Sequence, residues 1–237
     1  LAAISGGQFD NVICSRCDAV VALPKGSGAA FTAFIREFDA ALKNEYAVTD
    51  PDVTLTCAAA ETAKAVSAER TVTLVQALTA MPQGVEAMDT DFPGLVQTSL
   101  NMGVVKLDGD GLHIAFSIRS SIASRKLMLA QRVRAVAALA GGTVAERGVY
   151  PGWQYKRESQ FRDTLLAAYK DLTGKDGVVE ATHGGLECGL LMEKIPGLDA
   201  VSMGPELHDV HSVRERLSVP STERTYELVC ELLRRSC

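Results

Sequence analysis

The pattern of apolar runs predicts a mixed α/β and α+β chain: an α+β sandwich over residues 1–152, then the closing part of an open α/β sheet over residues 153–237. Three observations carry that expectation. Several long stretches repeat their apolar residues at helical spacing. Between them lie short β-branched runs bounded by glycine and proline, with a strong hairpin signal at Asp108-Gly109-Asp110-Gly111. Beyond Pro151-Gly152-Trp153 single helices and single short apolar runs alternate, as they do in open sheets covered by helices.

Taken in order, residues 1–23 read as two strands joined at Gly6-Gly7, the second lying in the β-branched run 12–23. Pro24 to Gly28 breaks that run, and a helix is expected over 29–46, with Phe31, Phe34, Ile35, Phe38 and Leu42 on one face. Asp50-Pro51-Asp52 is a turn and 53–59 a strand. A second helix, 68–79, carries Val72, Val75 and Leu78 and ends before Pro82. Strands follow at 97–106 and 112–118 around the hairpin turn. A helix over 124–139 stops at Gly141-Gly142, where glycine supplies the positive φ of a C-cap, and a strand is expected over 143–150. In the second part, helix 160–172 leads to strand 177–182, strand 199–203 follows, and a final helix spans 221–235.

Composition narrows the function. Hydrophobic residues make up 47% and charged residues 22% of the 237, enough apolar material for a substantial core. The net charge of -5 leaves no basic footprint for nucleic acid. No apolar run approaches the roughly 20 residues that span a bilayer. The six cysteines form no disulfide framework. Cys14-x-x-Cys17 invites a redox or zinc reading, but on a strand residues three apart face opposite sides. Reduced, structural thiols and a cytoplasmic setting are therefore expected.

The densest chemistry lies in His183-Gly184-Gly185-Leu186-Glu187-Cys188-Gly189, followed by Ser202-Met203-Gly204-Pro205 and His211-Ser212. Glycines let a ligand approach the backbone, and the Glu187 carboxylate beside them could hold an ammonium group. The same residues read as the opening of a helix, with Glu187 favourable near its N-terminus. His183 reads as a fold-stabilising residue behind that turn, and His113 as a solvent-facing strand residue. His208 and His211 are spaced to share a metal on a helix, but the flanking Gly204-Pro205 and Pro220 favour a loop. Arg119 ends an apolar strand, where a guanidinium can grip a carboxylate or simply face solvent.

Together with Gly6-Gly7 and Asp10-Asn11, Thr98-Ser99-Leu100-Asn101, Ile118-Arg119-Ser120 and Tyr150-Pro151-Gly152-Trp153, this wording resembles the aminoacyl-histidine dipeptidases. These are also called peptidase D or cytosolic non-specific dipeptidase, within the dizinc aminoacylase and carboxypeptidase superfamily. The resemblance runs along nearly the whole chain. It implies that residues 1–152 are most of a lid and dimerisation domain, and 153–237 the C-terminal segment of a zinc-peptidase catalytic domain. It implies a zinc ligand at His211, a substrate-carboxylate contact at Arg119, and substrate contacts at Asn11, Gly184, Gly185 and Glu187. Asn11 stands in altered company: where the family has Asn-Ala-Ile-Pro-Arg-Glu, this chain reads Asn11-Val12-Ile13-Cys14-Ser15-Arg16.

The expected function is thus the C-terminal part of a zinc-dependent, homodimeric dipeptidase acting on dipeptides that include aminoacyl-histidine types. The family's other zinc ligands and its general base have no counterpart motif here, so this chain alone is expected to be inactive. The alternatives are a non-catalytic dimerisation and substrate-positioning module, or a related amidohydrolase.

Overall fold

The computed structural model describes residues 1–61, 64–108, 111–183, 185–210 and 212–236. Strands β1 (Ala3–Gly6) and β2 (Cys17–Val20) pair antiparallel, with Ala3 opposite Val20 and Gly6 opposite Cys17. β2 is shorter than its apolar run suggested, because residues 11–16 form a loop. Cys14 therefore sits in irregular backbone before the strand, and the alternation argument that separated it from Cys17 does not apply.

Helix α1 (Gly28–Glu45) follows, then α2 (Ala68–Ala80). The Ser67 hydroxyl caps α2 by accepting the Arg70 N–H at 3.1 Å, and Leu74 and Ala77 are buried on it. Met81 turns to extended backbone before Pro82, as the proline ring demands of its predecessor. A short strand that the sequence reading missed, β3 (Gly84–Met88), pairs antiparallel with the long β4 (Val96–Asp108), Gly84 opposite Leu100. β4 also pairs with β1 near its other end, Ile4 opposite Leu107, and β5 (Gly111–Ser120) pairs with β4 as well. The sheet order is β2-β1-β4-β3 with β5 added on β4. Gly109 and Asp110 of the expected hairpin turn lie outside the described residues.

Helix α3 (Ala123–Leu139) ends as expected: Gly141 takes φ 74°, and the Gly142 N–H reaches the Ala137 carbonyl at 2.7 Å. Then come α4 (Gln160–Thr173), α5 (Glu187–Lys194), the two-residue strands β6 (Leu207–His208) and β7 (Arg216–Leu217), and α6 (Val219–Ser236). Leu165 and Ala168 of α4 and Leu232 of α6 form a buried cluster, with Leu228 and Val201 packed against it.

The mixed helix and strand architecture agrees with the expected fold class. Four expected strands, at 53–59, 143–150, 177–182 and 199–203, do not form. A strand exists only with a hydrogen-bonded neighbour, and among the described residues none pairs with these segments. The chain divides into two compact units. One holds Leu1–Met81, Asn101–Ser117 and Ala135–Thr143; the other holds Pro82–Leu100, Ile118–Arg134 and Val144–Cys237. β4, β5 and α3 each contribute to both.

Candidate functional site

Strand alternation builds the site in the second unit. The hydroxyls of Thr98 on β4 and Ser120 on β5 meet at 2.9 Å, both buried. The Ser120 hydroxyl also donates to the Ile122 carbonyl and accepts the Ile122 N–H, each at 3.0 Å, which fixes the end of β5. Because successive side chains on a strand point to opposite faces, Ser99 and Arg119 project from the other side of the two strands. There the Ser99 hydroxyl bonds the His183 Nε2 at 2.8 Å.

His183 thus meets Ser99, next to the pair of strands that carries Arg119. Its Nδ1 is buried and completes no hydrogen bond among the described residues. Burial holds the imidazole below its ordinary pKa, and the positive charge of Arg119 pushes the same way. The Val96 backbone opposes both. Burial and the Arg119 charge thus both favour the neutral ring. Arg119 itself is exposed, and among the described residues no carboxylate forms an ion pair with it.

Two glycines let the sequence blocks interlock around this cluster. A β-carbon on Gly185 would lie 2.3 Å from Cδ1 of the Tyr150 ring, so only glycine lets that ring lie against the backbone there. A β-carbon on Gly152 would lie 2.5 Å from the Ser120 carbonyl oxygen. The Lys126 ammonium donates to the Tyr150 carbonyl, and burial lowers the Lys126 pKa. Glu187 is exposed in the first turn of α5, which begins after Leu186. Its position fits the helix-opening reading, since a carboxylate is favourable there. Partial burial raises the Tyr150 pKa, and the charge of Glu187 adds to the effect. Thr98-Ser99, Arg119-Ser120, Tyr150-Gly152 and His183-Glu187, distant in sequence, are thus brought into one unit.

The remaining residues divide. Asn11 is exposed in a loop of the first unit. That loop is held from β4 by the Asn101 amide, which donates to the Asp10 carbonyl at 2.7 Å and the Val12 carbonyl at 2.9 Å. Gly103 lies flush beneath it, where a β-carbon would sit 2.2 Å from the Phe9 carbonyl oxygen. Gly184 and His211 lie outside the described residues. Among the described residues, β6 pairs with β7, Arg216 forms an ion pair with Asp209, and the Ser212 hydroxyl donates to the Asp209 carbonyl at 2.7 Å. Asp209 takes φ 52° there, a left-handed conformation that aspartate tolerates better than most residues. Among the described residues no group of three His, Cys, Asp or Glu side chains converges as a metal site. Sequence reasoning missed Ser99 and Asn101 as individual contributors. Their spacing of two along an apolar strand, which sets both on one face, was the available signal.

Comparison with known proteins bears on what such a unit belongs to. Along 231 residues the chain is 31% identical to the cytosol non-specific dipeptidase of Escherichia coli (strain K12), a match covering 97% of this chain and 48% of that protein. The chain is homologous to this dipeptidase over nearly all of its own length. The crystal structure of aminoacylhistidine dipeptidase from Vibrio alginolyticus matches with a TM-score of 0.90 at 29% identity, over 99% of this chain and 48% of that one. The chain therefore spans about half the length of the relatives it matches. No family model matches the sequence. No helix among the described residues is long and apolar enough to cross a membrane.

Proposed function

We propose that Arg119, with Ser99, His183, Gly184 and Gly185, forms the carboxylate-binding side of a dipeptide site in a cytoplasmic, zinc-dependent dipeptidase of aminoacyl-histidine type. One observation carries the reading: an exposed guanidinium without a carboxylate partner among the described residues stands near a neutral imidazole that itself bonds a hydroxyl. A planar cation with parallel N–H donors suits a free carboxylate. A neutral histidine adds a polar partner without a competing charge. Glu187 would take the dipeptide ammonium; Asn11, in the first unit, is proposed separately as a substrate contact.

Zinc, when bound, would polarise the peptide carbonyl and supply activated water. His211 is the proposed ligand from this chain. Among the described residues no three-donor site is assembled. What these residues do is bind and orient. The chain by itself is proposed to be catalytically silent, with residues 1–152 acting as a lid and dimerisation region and 153–237 as the C-terminal segment of the catalytic domain. Binding of a dipeptide and its C-terminal amide to the purified chain, followed by NMR shift perturbation, tests the proposal. The acid should perturb Arg119 and His183 and the amide much less; equal perturbation by both overturns the carboxylate role.

A further inference from the structure

The thiols of Cys14 and Cys17 converge over Gly6. A β-carbon on Gly6 would stand 2.9 Å from the Cys17 Sγ and 3.2 Å from the Cys14 Sγ. Gly6 is buried in β1 and lies directly opposite Cys17 in the β1–β2 ladder. The missing side chain therefore leaves one small space flanked by both sulfurs. The Cys14 thiol donates to the Arg16 carbonyl at 3.0 Å, an oxygen that also receives the Gly7 N–H at 3.4 Å. Cys17 is exposed and Cys14 partly so, and both are reduced. No third donor among the described residues joins them to make a metal site.

We propose that Cys14 and Cys17 are a reversible dithiol–disulfide site, open to low-molecular-weight disulfides, at the foot of the loop that carries Asn11. Register fixes Cys17 at the start of β2, whereas 13–16 is irregular backbone that can adjust to the geometry of an S–S bond. Cys14, on the adjustable segment and partly exposed, is taken as the sulfur that meets the incoming disulfide. Its thiolate attacks one sulfur of a disulfide such as oxidised glutathione and expels one glutathione thiolate. Cys17 then displaces the second glutathione from Cys14. One protein S–S bond forms, the glutathione S–S bond breaks, and the two protein thiol protons pass to the two departing glutathiones. The two electrons lost by the cysteines reduce the glutathione disulfide.

The consequence lies in the loop. Its residues 9–12 are already pinned by Asn101 and by the close approach of Gly103. A bond at Cys14 replaces a single thiol–carbonyl contact with a covalent tie, so the second side of the Asn11 loop becomes fixed as well. The chemistry rests on the sulfur geometry alone and stands whether or not the dipeptide reading is right.

The purified chain is equilibrated in glutathione buffers from reducing to oxidising, the remaining thiols are alkylated, and the cysteine peptides are mapped by mass spectrometry. Cys14 and Cys17 should lose alkylation together, in a peptide two hydrogens lighter, while Cys57 stays alkylated longer. Cys14→Ser should leave Cys17 alkylatable or as a glutathione adduct. Amide hydrogen exchange over 8–16 should slow several-fold on oxidation, with α4 unchanged. Independent titration of the two thiols, or glutathione adducts at every buffer ratio, overturns the disulfide, and the wild-type map decides this even if the serine variant does not fold. Unchanged exchange over 8–16 overturns the effect on the loop.

Discussion

Because the guanidinium of Arg119 opposes protonation of His183, each residue reports on the other. In Arg119→Ala the NMR titration midpoint of His183 should rise toward its ordinary value; an unmoved midpoint would separate the two residues. The same substitution should weaken dipeptide acids by about 2–4 kcal/mol, roughly 30- to 1000-fold, with a smaller loss for amides and partial recovery in Arg119→Lys. Calorimetry on acid and amide pairs measures both. His183 also sets a pH dependence with a definite sign. A folded pKa below the unfolded value means the unfolded chain binds more protons between the two. Stability should therefore fall as pH drops from about 6.5 through the lower folded pKa. Urea midpoints across that range should show less of this loss in Arg119→Ala, and an identical slope would exclude the Arg119 charge as a contributor to it.

At the scale of elements, two serines show how a helix start depends on its surroundings. Ser67 caps α2 through a single bond to Arg70. Ser159 caps α4 by accepting the Arg162 N–H at 3.1 Å and also donates to Asp199 at 2.8 Å, which in turn accepts the Phe161 N–H at 3.1 Å. Burial opposes ionisation of Asp199. The Phe161 N–H, the Ser159 hydroxyl, and Lys156 and Arg162 outweigh it, so the carboxyl titrates below its usual range. Ser67→Ala should cost about 1 kcal/mol, and Ser159→Ala about 2 kcal/mol because it strips both a cap and a carboxylate donor. Urea unfolding measures the pair, and equal losses would mean the link to Asp199 contributes nothing. The helices were legible because their apolar spacing, their caps and the Gly141 stop are local. β3 was not, since it is a strand only by pairing with β4.

For the whole molecule, α1 is the element whose partner is outstanding. It buries none of its residues, and Phe34 and Phe38 stack in the open, 6.0 Å between ring centres. The proposed dimer through residues 1–152 would cover such a face. Light scattering should then show concentration-dependent association that Phe34→Asp abolishes without loss of helix content by circular dichroism. A wild-type chain that stays monomeric at high concentration would remove this face from the proposal.

The positions of α1, α2, α3, α4 and α6, the β4–β5 pair and the motif blocks that carry the family resemblance were determined by the sequence itself, because propensity, capping and periodicity act within a few residues of one another. Four apolar runs were read as strands and are not, since a strand needs a neighbour that no single segment can announce. Only the tertiary structure set Ser99 against His183, pressed Tyr150 onto Gly185, and brought the Cys14 and Cys17 sulfurs to the same space over Gly6. Those contacts depend on which face a strand presents and where a loop departs from it, and both are fixed by register with a partner distant in sequence.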